Sequence, residues 1–272
     1  MSSEPREIEI TFVVRSDDPL AVVARLESLQ ELAGHRLRLE PPQRLHDRYF
    51  DLPERRLQAR GYALRLRQME DRFLLCLKGR ARDRGAVVER LEMEGPVADS
   101  ALWSRVGAEL GRDWPAALGG SDGPRRAADP VAALLGAGFL LIQDRETLRR
   151  PRHLLAAGKD LAAAGKDPVA ELVIDTVTYV AAGTPMRHHE VEIEAGPGME
   201  SPALTHLGAE LRALFPAELQ PWRPSKLRTG LTLEALARSH GPQTLVGASG
   251  DLTARAYALL QEPLHRGRPD HT

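Results

Sequence analysis

Charged and apolar residues alternate along Arg6-Glu7-Ile8-Glu9-Ile10-Thr11-Phe12, the period of two that marks a strand. At a rise of about 3.3 Å per residue, Glu7 and Glu9 stand on one face roughly 6.6 Å apart, with Ile8, Ile10 and Phe12 on the other. Two parallel carboxylates repel unless a cation lies between them, so the segment is either a solvated edge strand or half of a cation site. The strand is expected to end near Arg15. Asp17 or Asp18 followed by Pro19 then starts a helix whose apolar face is Leu20, Val23, Leu26, Leu29 and Leu32, closed by Gly34.

The alternation returns several times. A strand is predicted at His46–Asp51, with a turn or short helix from Pro53 to Gly61. Tyr62–Arg67 places Arg65 and Arg67 opposite Tyr62, Leu64 and Leu66; Arg72–Arg80 places Leu74, Cys76 and Lys78 opposite Phe73, Leu75 and Leu77. Val87–Met93 sets Arg90, Glu92 and the following Glu94 against Leu91 and Met93. A helical stretch carries Trp103, Val106, Leu110 and Trp114, and the Gly/Asp/Pro-rich run from Gly119 to Asp129 reads as a loop able to hinge two halves. Asp129-Pro130 opens a helix through Leu135, and Phe139–Arg150 is a strand with Arg145, Thr147 and Arg149 on one face. His153–Pro168 is an uncertain connection, and Ala170–Ala181 a strand carrying Glu171 and Asp175. His188–Glu194 repeats the opening pattern: His188, Glu190, Glu192 and Glu194 on one face, Val191 and Ile193 behind. After a turn at Gly196-Pro197-Gly198 come helices at Pro202–Leu214 and near Leu231–Ser239. The expected domain is 1–240, with 241–272 a mobile tail holding one candidate helix at Leu252–Gln261.

Eight or so strands, each charged on one face and apolar on the other, allow two constructions. The charged face is solvated, or the sheet curls into a barrel with the charges inside and helices covering its apolar exterior. The barrel is favoured because the apolar faces need covering and because Glu7/Glu9 and Arg65/Arg67 are like-charge pairs, which a solvated face ordinarily interleaves by sign. The expected fold is therefore α+β, a closed or nearly closed eight-stranded antiparallel β-barrel with helices packed on its outside. Separate acidic and basic strips lining it would suit a polyphosphate held through divalent cations.

With 42% apolar residues in 272, the chain can bury a sizeable core. A formal charge of -1, from 37 basic and 38 acidic residues, argues against a generic nucleic-acid binder. The single Cys76 allows no internal disulfide, and no apolar run approaches the roughly 18 residues of a membrane span. These features point to a cytoplasmic protein without membrane or nucleic-acid partners, a monomer or homodimer.

In this order, Glu7-x-Glu9, Tyr49-Phe50-Asp51-x-Pro53, Gly61 before Leu64-Arg65-Leu66-Arg67, Leu77-Lys78-Gly79, Glu89-Arg90-x-Glu92-x-Glu94, Asp144-Arg145, Ile174-Asp175, Glu190-x-Glu192 and Ser225-Lys226 resemble the CYTH, or triphosphate tunnel metalloenzyme, superfamily. That group includes thiamine and inorganic triphosphatases, class IV adenylyl cyclases and fungal RNA triphosphatases. The resemblance implies metal-dependent hydrolysis of a triphosphate, inorganic tripolyphosphate or a small organic one such as thiamine triphosphate, inside a charged tunnel. It implies that Arg65, Arg67, Lys78, Arg145 and Lys226 grip phosphate oxygens. It implies too that Glu7, Glu9, Glu190 and Glu192, helped by Asp175, Glu92 and Glu94, hold Mg²⁺ or Mn²⁺. The family's opening motif continues to a lysine where this chain has Thr11, which keeps open a polyphosphate- or nucleotide-binding module with weak or lost turnover, and a cyclase as a smaller alternative. Arg72, Arg80 and Arg149 are candidates to reach into that position.

Weaker signals have plainer readings. His188-His189 suits a strand end better than a transition-metal site, since no other His or Cys stands at ligand spacing. Cys76 is better read as a small filler than as a modifiable thiol. Arg125-Arg126 and Arg149-Arg150 are runs too short to be more than solvated charge.

Overall fold

The computed structural model describes residues 6–111, 129–156 and 168–266. Strands and helices follow as β1 (Arg6–Val14), α1 (Pro19–Ser28), β2 (Glu31–Leu32), β3 (His35–Leu39), β4 (Gln43–Asp51), α2 (Arg56–Ala59), β5 (Ala63–Met69), β6 (Arg72–Lys78), β7 (Arg82–Arg84) and β8 (Val87–Pro96). Then come α3 (Ser100–Leu110), α4 (Pro130–Gly136), β9 (Leu140–Leu154), β10 (Ala170–Ala181), β11 (Thr184–Ala195), α5 (Ser201–Leu214), β12 (Leu219–Pro221), α6 (Lys226–His240) and α7 (Ala254–Arg266). The hydrogen-bonded order β10-β11-β1-β8-β6-β5-β4-β9 returns from β9 to β10, so eight antiparallel strands close into a barrel, with helices on its outside. Trp114 and the hinge expected at Gly119–Asp129 fall outside the described residues but for Asp129, as does most of the connection after His153.

Contacts divide the chain into two compact units. In the first, made of the chain to Glu7, Arg44–Asp83 and Glu89–Asp144, the apolar faces of β5 and β6 bury Leu64, Leu66, Leu75 and Leu77. Helix α3 covers them with Leu102, Trp103, Val106 and Leu110. Asp99 caps that helix by accepting a hydrogen bond from the Ala101 amide. In the second unit, Ile10 and Phe12 of β1 share a core with Leu172 and Ile174 of β10, Val191 and Ile193 of β11 and Leu204, Leu207 and Leu211 of α5. A Cβ on Gly208 would stand 3.0 Å from Ile10, so the absent side chain is what lets α5 lie against β1.

Two elements depart from expectation. The helix predicted to run to Leu32 stops at Ser28, because Ala33 (φ 49°) and Gly34 (φ 79°) form the two-residue turn of a hairpin joining β2 to β3, with Leu32 opposite His35. Leu29 and Leu32 still reach the same core, so the helical spacing was satisfied by a different backbone. At the other end, residues 242–261, expected as tail, are part of the second unit: Ala256, Tyr257 and Leu260 of α7 join Val177, Met186, Trp222 and Leu233 in a third cluster. Among the described residues no helix is long and apolar enough to cross a membrane.

Candidate active site

Each unit holds a cluster of buried and partly buried charges. In the first, β5 sets Arg65 and Arg67 on the face opposite its leucines, and register decides what they meet. Arg67 lies across from Asp47 of β4 and grips it with two bonds, Nε to Oδ1 at 2.7 Å and Nη2 to Oδ2 at 3.0 Å. Asp47 is wholly buried. Arg65 Nη2 donates to Glu94 Oε2 at 2.6 Å. Lys78 lies across from Glu92, 3.1 Å from its Oε1, and also donates to both oxygens of Glu7 at 2.9 Å. Arg90 Nε adds a bond of 2.6 Å to Glu7. Burial alone would raise the Glu7 pKa, but Lys78 and Arg90 outweigh it and hold the carboxyl well below the usual carboxylate range. Cys76 Sγ donates to Glu92 Oε1 at 3.1 Å, and burial pushes its pKa up to about 12 against the pull of Arg65 and Lys78. The thiol stays protonated and fills space.

The second cluster is built on β9, β10, β11 and the first residue of α6. Asp175 lies between Arg149 of β9 and Glu190 of β11 in register. Arg149 grips Asp175 with Nε at 3.1 Å and Nη2 at 2.9 Å, and Nη2 also donates to Glu192 at 3.1 Å. Glu194 is 3.6 Å from the same guanidinium. Lys226 Nζ lies 3.2 Å from Asp175 and 2.8 Å from Glu190, and bonds Glu192 as well. A cation in the first turn of a helix opposes the helix dipole, so Lys226 is held there by the carboxylates. Tyr179 pins that turn by donating to the Lys226 carbonyl at 2.9 Å, and Ser225 caps it. Burial works against ionisation of Asp175 and Glu190, yet Arg149 and Lys226 for the first, and Lys226 and His188 for the second, push both carboxyls down to about 2. Glu190, Glu192 and Asp175 in turn overcome the burial of Lys226 and hold its pKa well above the ordinary lysine value.

The first cluster thus brings together Glu7, Arg65, Arg67, Lys78, Glu92 and Glu94 from the sequence-derived residues. The second gathers Asp175, Glu190, Glu192 and Lys226. Arg145 is buried on β9 opposite Tyr179, and Glu9 is buried on β1 opposite Glu194. The expected separation into an acidic and a basic strip is not what forms. Alternation along one strand does repeat a sign, but the residue directly across is of opposite sign at Arg67–Asp47, Lys78–Glu92 and Arg149–Asp175, as burial demands of ionised groups. Nor is Arg149 solvated charge: it bonds two carboxylates inside the second cluster. Asp47 was not among the sequence-derived site residues and Arg149 entered only as one of three arginines able to reach the Thr11 position, although both stand at the parity of the charged face. Arg125-Arg126 lies outside the described residues.

Thr11 stands directly across from Glu192 on the charged face of β1. Of the three arginines considered for that position, Arg149 is the one bonded to Glu192. Arg80 instead lies over Gly61, and Arg72 is exposed.

The CYTH domain family model matches residues 5–213. The chain belongs to the CYTH domain family. Among solved structures, this CYTH chain is similar to HpAC1 from Hippeastrum, a candidate adenylyl cyclase described as having a dominant triphosphatase activity. Identity is 18%, with 86% of this chain and 95% of that one covered at a TM-score of 0.55. A candidate adenylate cyclase from Bacillus halodurans matches at 16% identity over 84% and 98% of the two chains, TM-score 0.45. The PH1819 protein of Pyrococcus horikoshii matches at 16% over 84% and 99%, also 0.45. No curated protein sequence matches the chain. The first of these shows a shared fold.

A divalent cation fits the donors present. Glu9 and Glu194 stand directly opposite each other on β1 and β11, with carboxylate oxygens within 4.8 Å of each other. Their donors are hard oxygens, which suit Mg²⁺ or Mn²⁺.

Proposed function

We propose that this CYTH chain hydrolyses the terminal phosphoanhydride bond of a triphosphate, inorganic tripolyphosphate or a small organic triphosphate, with Mg²⁺ or Mn²⁺. The observation that carries this reading is the second cluster, where the partly buried Arg149 and Lys226 are ringed by the buried Asp175, Glu190 and Glu192. A structural core gains little from so many desolvated charges, whereas an anion site needs them fixed in advance. HpAC1's described activity agrees with it.

In this reading each unit meets phosphate oxygens with its own cations: Arg65 and Arg67 present planar forks beside Lys78 in the first, and Arg145 and Lys226 act in the second. Arg65, Arg67, Lys78 and Lys226 are already held by Asp47, Glu94, Glu92, Asp175 and Glu190, so little reorganisation is needed when charge develops on the leaving phosphate. Glu7 and Glu192 accept an N–H on each oxygen and are committed to cations, whereas Glu9 and Glu194, facing each other across β1 and β11, would hold the metal. When bound, the cation neutralises phosphate charge and polarises the bond to water.

The test is phosphate release from tripolyphosphate, thiamine triphosphate and ATP, each with Mg²⁺ and with Mn²⁺. Release well above the buffer rate from at least one supports hydrolysis; cyclic AMP and pyrophosphate from ATP would mean a cyclase instead. Thr11 opposite Glu192 favours a second reading, a triphosphate-binding module with lost turnover. Tight binding by calorimetry with no release from any substrate would establish it.

A further inference from the structure

Glu190 is almost fully buried, and both of its oxygens are taken: Oε1 by His188 Nε2 at 2.7 Å, Oε2 by Lys226 Nζ at 2.8 Å. His188 is fully buried, and its other nitrogen, Nδ1, lies 3.1 Å from the Tyr257 hydroxyl of α7. An ionised carboxylate only accepts, so Nε2 carries the proton directed at Glu190; in the neutral ring Nδ1 then accepts, and the Tyr257 O–H donates to it. Burial and the charge of Glu190 both hold the Tyr257 proton in place, its pKa raised far above the ordinary phenol range. The rings of Tyr179, Trp222 and Tyr257 pack around the imidazole, with centroids 5.6–6.3 Å from that of His188.

The neighbouring histidine is held by the same C-terminal segment. His189 Nε2 bonds Asp251 Oδ1 at 3.0 Å, the same carboxylate pairs with Arg187 at 2.9 Å, and backbone bonds join Arg187 to Gly250 and Leu252 at 2.8 and 2.9 Å. The His188-His189 pair, with no role in the proposed hydrolysis, therefore has a partner for each ring beyond residue 213, where the family match ends.

We propose that Tyr257 is a positioning residue: through His188 it fixes Glu190 as the anchor of the Lys226 ammonium, so that Glu190 serves the phosphate-binding cation and not the metal. The proposal rests on the reading that Lys226 meets the triphosphate. It reassigns Glu190, expected from resemblance to be a metal ligand, because a carboxylate with an N–H on each oxygen has its best lone pairs committed.

Tyr257→Phe removes one oxygen and keeps the ring packing. Its binding of imidotriphosphate, a non-hydrolysable analogue, is measured by calorimetry, and its Mn²⁺ binding by the electron paramagnetic resonance signal of the free ion. The expected result is an analogue affinity about fivefold lower or worse with Mn²⁺ affinity within about twofold of wild type. In a His188→Asn background, Tyr257→Phe is expected to change nothing more. Equal loss of Mn²⁺ and analogue affinity, or unchanged analogue affinity, overturns the proposal. The ¹⁵N spectrum of histidine-labelled, ligand-free protein decides the relay separately. Glu190 keeps the proton of His188 on Nε2 in both proteins, so the relay is read at Nδ1: its ¹⁵N signal is expected to move downfield in the Phe variant as its lone pair loses the Tyr257 O–H, and an unchanged Nδ1 shift overturns the proposal. If wild type binds no analogue while the Nδ1 shift responds as expected, the triphosphate reading has failed and with it the assignment of Glu190 to a phosphate-binding cation.

Discussion

Replacing Arg149 by methionine removes a two-bond grip on Asp175 and a bond to Glu192, at 2.9–3.1 Å. A charge-assisted bond is worth about 1.5–3 kcal/mol, and stranding a buried carboxylate costs about 3–5 kcal/mol. Lys226 remains 3.2 Å from Asp175, so the lower range applies. If Arg149 supplies the charge that Thr11 lacks, losing it should weaken imidotriphosphate binding by about ten- to a hundredfold, at 1.4 kcal/mol per tenfold. Thr11→Lys places an ammonium across from Glu192, with Cβ atoms about 5 Å apart. In wild type Glu192 already holds Arg149 and Lys226, so the new lysine should change affinity less than about threefold; in the Arg149→Met protein it should recover at least about tenfold. Calorimetry on the four proteins, with thermal melts to check folding, reads the coupling directly. An equal effect of Thr11→Lys in both backgrounds would refute the idea that Arg149 stands in for the lysine.

EDTA should abolish phosphate release and Mg²⁺ or Mn²⁺ restore it, with Glu9→Gln costing at least about tenfold; full activity in chelator would remove the metal from the mechanism. Arg65→Ala should weaken triphosphate binding far more than monophosphate binding, since a longer anion engages more cations, and equal losses in calorimetry would place Arg65 outside the site. Asp175 and Glu190 titrate near 2 when folded and near 4 when unfolded, so the stability they lend is complete above about pH 4.5 and disappears as pH falls toward 2. The guanidinium midpoint should drop between pH 5 and pH 3, and a flat profile would contradict those ion pairs. Gly196→Ala should destabilise the fold by about 1–3 kcal/mol or more, because a Cβ there would lie 2.4 Å from the Pro168 carbonyl oxygen. An unchanged melting temperature would show that the turn can shift.

The strands, their charged faces and the barrel were legible in the sequence because a period of two is a local property: Glu7, Arg65, Cys76, Lys78, Glu92, Asp175 and Glu190 each owe their face to their own neighbours in the chain. The resemblance lay in short motifs of the same local kind. Pairing across strands is not local. That Lys78 meets Glu92, that Arg67 is gripped by Asp47, and that Arg149 belongs to the second cluster follow from register, which the packing of apolar faces selects. Leu29 and Leu32 show the limit of periodicity, since helical spacing and a tight hairpin deliver the same two side chains to one core. The sequence by itself determined which residues stand on the charged faces of the strands. Only the tertiary structure decided which of those charges neutralise one another, and that Tyr257, 67 residues beyond Glu190, closes the bond network around that carboxylate. Long-range contacts of this kind leave no periodic trace in the chain.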